Sequence, residues 1–248
     1  MIACNWKLHK DADQAEEFIG RLKEQTKGYD KAEIVIAPSY VCLERAKHAS
    51  EGSCIHISAQ DVSAYEEGAY TGEVAAKMLA PFCRYCIVGH SERRHIFGDS
   101  DDTVRRKLEA CIKHGLVPIL CIGETKEDRD SHNTEEVLRR QLSVALSCEP
   151  AEHFKENELV VAYEPVWAIS NGDSGHEPAT PDDAHSCHLF IKDILREILG
   201  RDDIRVLYGG SVKPENIAGF MALESVDGAL VGNASLELDS FVALLKSI

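Results

Sequence analysis

Short apolar runs alternate with longer amphipathic stretches along the chain. The apolar runs have the length and β-branched content of buried strands, and they lie at residues 2–4, 34–37, 55–59, 85–88, 117–122, 159–163, 205–208 and 229–231. The stretches between them have helical period, which predicts helices at 12–27, 41–49, 73–79, 103–114, 134–146, 181–199, 214–221 and 240–245. The pattern therefore predicts eight strands and eight helices in alternation.

Residues at several predicted helix ends agree with this pattern. Thr134 precedes two glutamates at a helix start, and Pro181 and Pro214 suit the first turn of a helix. Gly115 and Gly200 follow helices at positions where a positive φ ends the helix at little cost. The local chemistry thus supports the elements that the apolar pattern predicts.

Alternating strands and helices predict an α/β fold with a parallel sheet. The 248 residues leave about 31 for each of the eight units, and no linker rich in proline or serine separates them. These features favour a closed (β/α)₈ barrel over an open, doubly wound sheet. We expect residues 1–248 to form one domain.

The charge balance limits the partners of the chain. With 27 basic and 42 acidic side chains, the formal net charge is −15, which argues against nucleic acid or an anionic membrane as a partner. Apolar runs such as 117–122 are far shorter than the roughly 20 residues of a spanning helix. The first residues also lack a basic segment followed by an apolar one, so we expect a soluble protein without a targeting signal.

Nine cysteines are spread along the chain. An odd number in a chain of this length fits buried, reduced thiols better than a disulfide framework, and this predicts a cytoplasmic protein. Cys83 and Cys86 form one C-x-x-C pair, but no second pair follows and Cys86 lies in a predicted strand. We interpret them as structural thiols rather than metal ligands or redox groups.

Polar residues and glycines follow most of the predicted strands, and in a (β/α)₈ barrel this end of each strand carries the reactive groups. They are Asn5, Lys7, Gln60, His90, Glu124, Glu164, Gly209, Gly210, Ser211, Gly232 and Asn233. A lysine, an imidazole, a carboxylate and glycine-bearing turns are the groups needed to bind a phosphorylated small molecule and to move a proton.

Glu164 follows a predicted strand and precedes Pro165, which keeps it extended at the end of the strand. A carboxylate there, flanked by Trp167 and Ile169 and closed off from water, would be a stronger base than a solvated one. A carboxylate at the rim, paired with a basic side chain, explains the same residue equally well.

His90 lies between a predicted strand and Ser91-Glu92-Arg93, a predicted helix start. Backbone N–H groups at that start disfavour a charged imidazole and leave a neutral donor that can polarise a carbonyl. A hydrogen-bonded core histidine is the alternative interpretation. The segment 89–93 lacks the second glycine of a nucleophile elbow, so we do not interpret Ser91 as a nucleophile.

Glycine-bearing turns follow the last two predicted strands. Gly209-Gly210-Ser211 and Gly232-Asn233 lie where barrels commonly bind phosphate through backbone N–H groups, although ordinary turns have the same composition. Neither G-x-G-x-x-G nor G-x-x-x-x-G-K-[ST] is present, so neither a dinucleotide nor a nucleoside triphosphate is indicated. The polar segment 170–179 beyond Glu164 suggests a mobile lid, with a disordered surface loop as the alternative.

Together these segments resemble the triosephosphate isomerase family over essentially the whole chain. The matching motifs are N-W-K at 5–7, A-Q-D-V at 59–62, G-A-Y-T-G-E at 68–73, V-G-H-S-E-R-R at 88–94, C-I-G-E-T at 121–125, A-Y-E-P-V-W-A-I at 162–169, Y-G-G-S-V at 208–212 and D-G-A-L-V-G at 227–232. The resemblance implies isomerisation of dihydroxyacetone phosphate to D-glyceraldehyde 3-phosphate through an enediol(ate), without cofactor or metal.

The resemblance also implies catalytic roles for the matching residues. Glu164 would be the base and His90 the neutral electrophile, in a family that is a standard example of such pKa tuning. Lys7 would supply positive charge, Asn5 would help to place the substrate, and Glu92 would support His90.

Further residues would bind the phosphate or support the site. Cys121 would pack behind Glu164, and Tyr208 and Ser211 would contact the closed lid. The residues implied to bind the substrate and its phosphate are Asn5, Lys7, Ser170, Ser211, Gly232 and Asn233.

The chain departs from the family pattern in the lid and in the phosphate turn. Eleven residues separate Ile169 from Pro181 where the family usually has seven, and Ser170 replaces the first glycine of the lid. Asn233 replaces the commoner second glycine of the phosphate turn. Because asparagine tolerates positive φ, we expect the N–H of Asn233 to keep its place.

The segment 68–73 resembles the family's third loop, which projects into a neighbouring subunit, with Thr71 near its tip. The resemblance thus implies a homodimer, since an isolated loop would expose Tyr65 and Tyr70 together. Two alternatives remain at this stage. A longer lid suits a related isomerase of a longer ketose phosphate such as a tetrulose phosphate, and a lid that no longer closes suits a non-catalytic phosphate-binding relative.

Overall fold

The structure, a computed structural model, describes residues 1–147, 154, 158–169 and 179–248. Its eight strands are parallel and close into a barrel in chain order. They are β1 (Ile2–Asn5), β2 (Ile34–Ala37), β3 (Ile55–Ala59), β4 (Tyr85–Val88), β5 (Val117–Ile122), β6 (Val160–Tyr163), β7 (Arg205–Tyr208) and β8 (Ala229–Val231). The predicted (β/α)₈ barrel is confirmed.

Strand β1 closes the barrel because it pairs on both sides. Ile2 is in register with Ile34 of β2 and with Ala229 of β8, which the chain reaches only after seven other strands. All eight strands run in one direction, so their carboxyl ends form a single rim. The predicted site residues therefore share that rim.

Ten α-helices lie within the described residues, and none of them is long and apolar enough to cross a membrane. They are α1 (Ala12–Gln25), α2 (Leu43–Ser50), α3 (Ala76–Leu79), α4 (Ser91–His95), α5 (Asp101–Lys113), α6 (Lys126–Asp130), α7 (Thr134–Ala145), α8 (Pro181–Leu199), α9 (Ile217–Met221) and α10 (Leu238–Lys246). One-turn 3₁₀-helices also lie in the loops after three strands, at Tyr40–Cys42, Val166–Ala168 and Asn233–Ser235.

Helix α8 shows how the sequence sets its own ends. Thr180 accepts a hydrogen bond from the backbone N–H of Asp183, and the Asp183 side chain accepts one from the backbone of Thr180. Pro181 occupies the first turn, and Gly200 ends the helix with φ 68°. Both predicted boundaries of this helix are confirmed.

Five of the eight predicted helix starts are displaced by two or three residues, and two of them have a clear local reason. Helix α9 begins at Ile217 rather than at Pro214, because the Asn216 side chain accepts a hydrogen bond from the Lys213 N–H at 2.7 Å and makes a turn there. Helix α3 begins at Ala76 because Ala75 before it is extended. Helix α7 begins at Thr134 as predicted, and its N-cap is Asn133.

The two faces of each strand fill two cores. Side chains such as Ala3, Ile87 and Leu207 point into the barrel, whereas their neighbours pack against the surrounding helices. Strand residues alternate between the two faces, so the inward positions continue into the rim. Asn5 follows Ala3 on this face, and Glu164 follows two buried inward residues of β6.

Candidate active site

Residues from five rim segments line one cavity of about 740 Å³. It collects the predicted catalytic and phosphate-binding residues that the structure describes, namely Asn5, Lys7, His90, Glu164, Ser211, Gly232 and Asn233. Ser170 and the rest of the predicted lid up to residue 178 lie outside the described residues. The predicted supporting residues Glu92, Cys121 and Tyr208 do not line the cavity.

His90 is held by the start of helix α4. It is the N-cap of this helix, and its Nδ1 accepts a hydrogen bond from the backbone N–H of Glu92 at 3.2 Å. A nitrogen that accepts a hydrogen bond carries no proton, so this contact assigns the ring proton to Nε2. The imidazole is 6% exposed, and Nε2 faces the carboxylate of Glu164.

Glu164 extends inward from the end of β6 and is 2% exposed. Its Oε1 lies 3.0 Å from His90 Nε2, and its Oε2 accepts a hydrogen bond from the Ser91 N–H at 2.8 Å. The Ser91 hydroxyl donates a further bond to Oε1 at 3.1 Å. Three donors therefore fix the carboxylate in a site with almost no access to water.

Ser91 is the contact to Glu164 that the sequence did not reveal. From the sequence, Ser91 was not expected to act as a nucleophile and had no other predicted role, yet its N–H and hydroxyl both bind Glu164. The two residues are 73 positions apart, and they meet because α4 begins at the end of β4. A serine at the first position of a predicted rim helix was the available signal.

Lys7 brings a cation to the same cavity. Its Nζ lies 2.7 Å from Glu92 Oε1, and both side chains are partly exposed. Its backbone adopts φ 52°, a left-handed conformation that is unfavourable for a residue with a Cβ. Asn5 supports this conformation, since its Oδ1 accepts a hydrogen bond from the Lys7 N–H at 3.0 Å.

Gln60 also fixes the segment that carries Lys7. Its Nε2 donates hydrogen bonds to the carbonyl oxygens of Lys7 and Ala37, each at 2.9 Å. The end of β3 is thereby linked to the ends of β1 and β2. Gln60 thus acts on the position of Lys7, although it does not line the cavity.

The glycines after β7 leave room for Glu164 and Tyr208. A Cβ on Gly209 would lie 2.9 Å from Glu164 Cγ, and one on Gly210 would lie 2.2 Å from the Tyr208 hydroxyl. Both positions therefore require glycine for close packing. Ser211 follows them, and its hydroxyl donates to the carbonyl of Ala168 at 2.8 Å.

The second turn differs from the expectation for Asn233. The Asn233 N–H was expected to keep its place because asparagine tolerates a positive φ, but the described non-glycine residues with positive φ are Lys7, Lys10 and His132. Asn233 instead begins the 3₁₀-helix Asn233–Ser235, directly after Gly232. An ordinary helical conformation explains why a residue with a side chain fits here.

Cys121 and Tyr208, two predicted supporting residues, are buried. Burial, with a smaller contribution from the charge of Glu164, raises the pKa of the Cys121 thiol well above its usual range, so the thiol is neutral. Burial also raises the pKa of the Tyr208 hydroxyl. Within the described part of the chain, this hydroxyl has no hydrogen-bond partner.

Glu124 connects the end of β5 to the segment after Glu164. Its Oε1 accepts hydrogen bonds from the Tyr163 hydroxyl at 3.0 Å and from Trp167 Nε1 at 2.6 Å. The Arg129 guanidinium lies 3.8 Å from the centre of the Trp167 ring. Burial raises the pKa of Glu124, although these bonds oppose the shift. Trp167, three residues before the predicted lid segment 170–179, is therefore fixed to the barrel.

The chain forms a closed parallel barrel, and an imidazole and a carboxylate are in contact at its rim. This arrangement is typical of barrel enzymes that move protons within a small substrate. The family described as triosephosphate isomerase matches the sequence over residues 1–248. The chain belongs to the triosephosphate isomerase family.

Relatives in several bacteria support this assignment over nearly the full chain. The triosephosphate isomerase of Geotalea uraniireducens is 43% identical over 250 residues, covering 99% of this chain and 97% of the relative. That of Aquifex aeolicus is 40% identical, with coverages of 100% and 98%. The crystal structure of triosephosphate isomerase from Bartonella henselae has a TM-score of 0.88 at 34% identity, covering 99% of this chain and 97% of that chain.

Proposed function

We propose that this chain interconverts dihydroxyacetone phosphate and D-glyceraldehyde 3-phosphate. The observation that carries the proposal is the 3.0 Å contact between His90 Nε2 and Glu164 Oε1, in a cavity that Lys7 also lines. Proton transfer beside a carbonyl requires a base that takes the proton from carbon and a hydrogen-bond donor that stabilises the carbonyl oxygen of the same substrate. The family match over residues 1–248 favours the triose substrate over a longer ketose phosphate.

The reaction follows from the groups in the cavity. Glu164 releases its bonds to Ser91 and His90 and takes the proton from C1 of dihydroxyacetone phosphate. The electron pair of that C–H bond forms the C1–C2 double bond, and the carbonyl electrons move to oxygen. His90 Nε2–H and the Lys7 ammonium stabilise this oxygen better than reorienting water does. The proton of the C1 hydroxyl moves to the oxygen on C2, Glu164 returns its own proton to C2, and the electron pair on the C1 oxygen forms the carbonyl of the aldehyde.

The phosphate is assigned to the glycine-bearing turns. Ser211, Gly232 and Asn233 line the cavity, and their backbone N–H groups would suit a small anion despite the net charge of −15. Ser170 is the fourth expected donor, and it falls outside the described residues. We propose that the segment that follows Ile169 closes over this end and excludes water.

We also propose that the chain forms a homodimer. Leu8, Val41, Ile96 and Phe97 are 96%, 82%, 72% and 64% exposed, and they follow β1, β2 and β4 on one side of the rim. The loop of Thr71 follows β3 on the same side. A sedimentation mass near 27.4 kDa at micromolar concentration, rather than twice that value, would contradict the dimer.

The loop of Thr71 bears on the same proposal. Tyr65 and Tyr70 are 39% and 43% exposed, as expected for an isolated loop, but their rings stack with centroids 3.8 Å apart. Stacking reduces the apolar area that each ring exposes while leaving one flat surface. This surface suits contact with a second subunit.

The remaining expectations are inferences from the sequence. We infer one domain over residues 1–248 and a cytoplasmic location, without nucleic acid or membrane partners. The eight described cysteines are free thiols, which fits a reducing compartment.

A coupled assay of the purified chain tests the function directly. We expect turnover of dihydroxyacetone phosphate at low inorganic phosphate, with incorporation of one solvent deuterium at carbon in ²H₂O. Parallel assay of a tetrulose phosphate measures specificity. Absence of turnover, or a tenfold preference in kcat/KM for the four-carbon substrate, would contradict the proposal.

A further inference from the structure

Lys10 lies outside the cavity but connects two segments that face it. It follows Lys7 by three residues, in the loop between β1 and α1. Its Nζ donates a hydrogen bond to the carbonyl of Leu236 at 2.7 Å, across 226 positions of sequence. Leu236 directly follows the 3₁₀-helix Asn233–Ser235, whose first residue lines the cavity.

The Lys10 ammonium is also held by two aromatic rings. It lies 4.8 Å from the centre of the Phe18 ring on α1 and 5.4 Å from the centre of the Trp6 ring beside Lys7. These rings contact each other edge to face at 5.0 Å. No carboxylate among the described residues forms an ion pair with Lys10, so its contacts are the carbonyl and the two rings.

The backbone of Lys10 is fixed as well. Its φ of 68° lies in the left-handed region, as does the φ of 52° at Lys7. The Lys10 carbonyl lies 3.6 Å from the Cys42 thiol, which donates to it from the 3₁₀-helix after β2. Lys10 therefore connects loops from β8, β1 and β2, which are neighbours in the barrel.

The two segments that Lys10 connects approach each other at the cavity. A Cβ on Gly232 would lie 3.7 Å from Cε of Lys7. The Lys7 ammonium and the N–H groups of the Gly232-Asn233 turn would act on different parts of one substrate. Their separation must therefore match the distance between its carbonyl oxygen and its phosphate.

We propose that Lys10 is a positioning residue for phosphate binding, which sets the separation between Lys7 and the Gly232-Asn233 turn. This inference rests on the proposed function, because it assigns the phosphate to that turn. Lys10 acts through Leu236, Trp6 and Phe18 and does not touch the substrate. Its loss should weaken binding of the ground state and the transition state equally, since contacts other than those of Lys10 hold Glu164, His90 and Lys7 in place.

Substitution of Lys10 by methionine tests the proposal. Lys10→Met keeps an unbranched stem and removes the ammonium. We expect the KM for dihydroxyacetone phosphate and the Kd of inorganic phosphate, measured by calorimetry, to rise about tenfold, as for loss of one charged hydrogen bond. The value of kcat should fall less than about threefold. Lys10→Arg restores a cation on a long stem. It should bring the KM and the phosphate Kd back to within about threefold of the wild-type values.

Lys23→Met is the matched control. Lys23 is also half-buried, and its Nζ donates to a backbone carbonyl, that of Glu51, but neither residue lines the cavity. This variant should lose a similar contact and leave KM and the phosphate Kd unchanged.

Unchanged KM and phosphate Kd in Lys10→Met would overturn the proposal, and so would an equal rise in Lys23→Met. If Lys10→Met does not fold, Lys10→Gln replaces it in the test, because its side chain is too short to reach Leu236 in the same way. A rise in its KM and phosphate Kd supports the proposal, and unchanged values overturn it. Wild-type protein that binds phosphate without isomerising the triose would contradict the proposed function alone, because the calorimetric comparison still decides the role of Lys10.

Discussion

The backbone N–H of Glu92 points at Nδ1 of His90, at 3.2 Å. This contact fixes the neutral ring with its proton on Nε2, which is the nitrogen that faces Glu164. The Glu92 carboxylate is 3.6 Å from Nδ1, too far to accept a hydrogen bond from a proton on that nitrogen. A main-chain group therefore determines which nitrogen can donate to a substrate carbonyl.

The tautomer of His90 is the first testable consequence. At pH 8, ¹⁵N spectra of histidine-labelled protein should show protonated Nε2 and unprotonated Nδ1 for His90. His188 is an internal control with the opposite expectation, because its Nδ1 faces the carbonyl oxygen of Ser225 at 3.1 Å and must donate to it. A proton on Nδ1 of His90 would remove this residue from its proposed role as the donor.

Shortening Glu164, the proposed base, should damage catalysis without damaging the fold. Glu164→Asp moves the carboxylate back by one methylene, away from the position where it meets C1, so we expect kcat to fall at least 10²-fold. The melting temperature should change little. Glu237→Asp, a shortened carboxylate outside the cavity, should keep wild-type kcat. Near-normal turnover of Glu164→Asp in the coupled assay would exclude Glu164 as the base.

The strands were predicted well because short buried strands are apolar throughout. Six of the eight have the predicted bounds, and β1 and β6 differ by one residue at one end. Helix starts were predicted less well where side chains bind the backbone, as at Asn216 before α9. Helix α6 was not predicted and only the start of α4 was, because helices of five residues make little more than one turn and show no clear period.

The site was predictable where it depends on strand direction alone. Asn5 and Glu164 continue the inward faces of β1 and β6, so their place in the sequence determines where they point. The contact of Ser91 with Glu164 depends on where α4 begins relative to β6, which no local pattern encodes. The bonds from Gln60 to Lys7 and Ala37 depend on the barrel order in the same way.

Gly209 should be sensitive to a single added methyl group. The Cβ of Gly209→Ala would lie 2.9 Å from Glu164 Cγ and 3.0 Å from the Tyr163 carbonyl oxygen, so the base must shift. We expect kcat/KM to fall at least tenfold, since small displacements of a catalytic group are costly. Gly20→Ala is the control, because no atom lies within 4 Å of its added Cβ on α1. It should raise the free energy of unfolding by about 0.5–1 kcal/mol and leave turnover unchanged.

His188 is buried beneath the site without a complete set of hydrogen bonds. It is fully shielded from water, and Nε2 has no hydrogen-bond partner among the described residues. The rings of Tyr163 and Tyr208 lie 5.9 Å and 6.5 Å away. Burial lowers the pKa of His188 to about 4, against the opposing effects of the bond to Ser225 and the charge of Asp227.

This lowered pKa predicts a loss of stability in mild acid. Between pH 6.5 and pH 4 the unfolded chain binds a proton at His188 that the folded chain does not, so stability falls as the pH falls. The loss amounts to about 3 kcal/mol over the window, or about 1.4 kcal/mol per pH unit.

Urea unfolding of His188→Gln at several pH values and one protein concentration tests this prediction. The free energy of unfolding should fall less steeply with falling pH in this variant than in wild type, by about 1.4 kcal/mol per pH unit, the equivalent of one proton. His48→Gln, which removes an exposed imidazole, should keep the wild-type slope. Equal slopes in wild type and His188→Gln would show that His188 is protonated in the folded state.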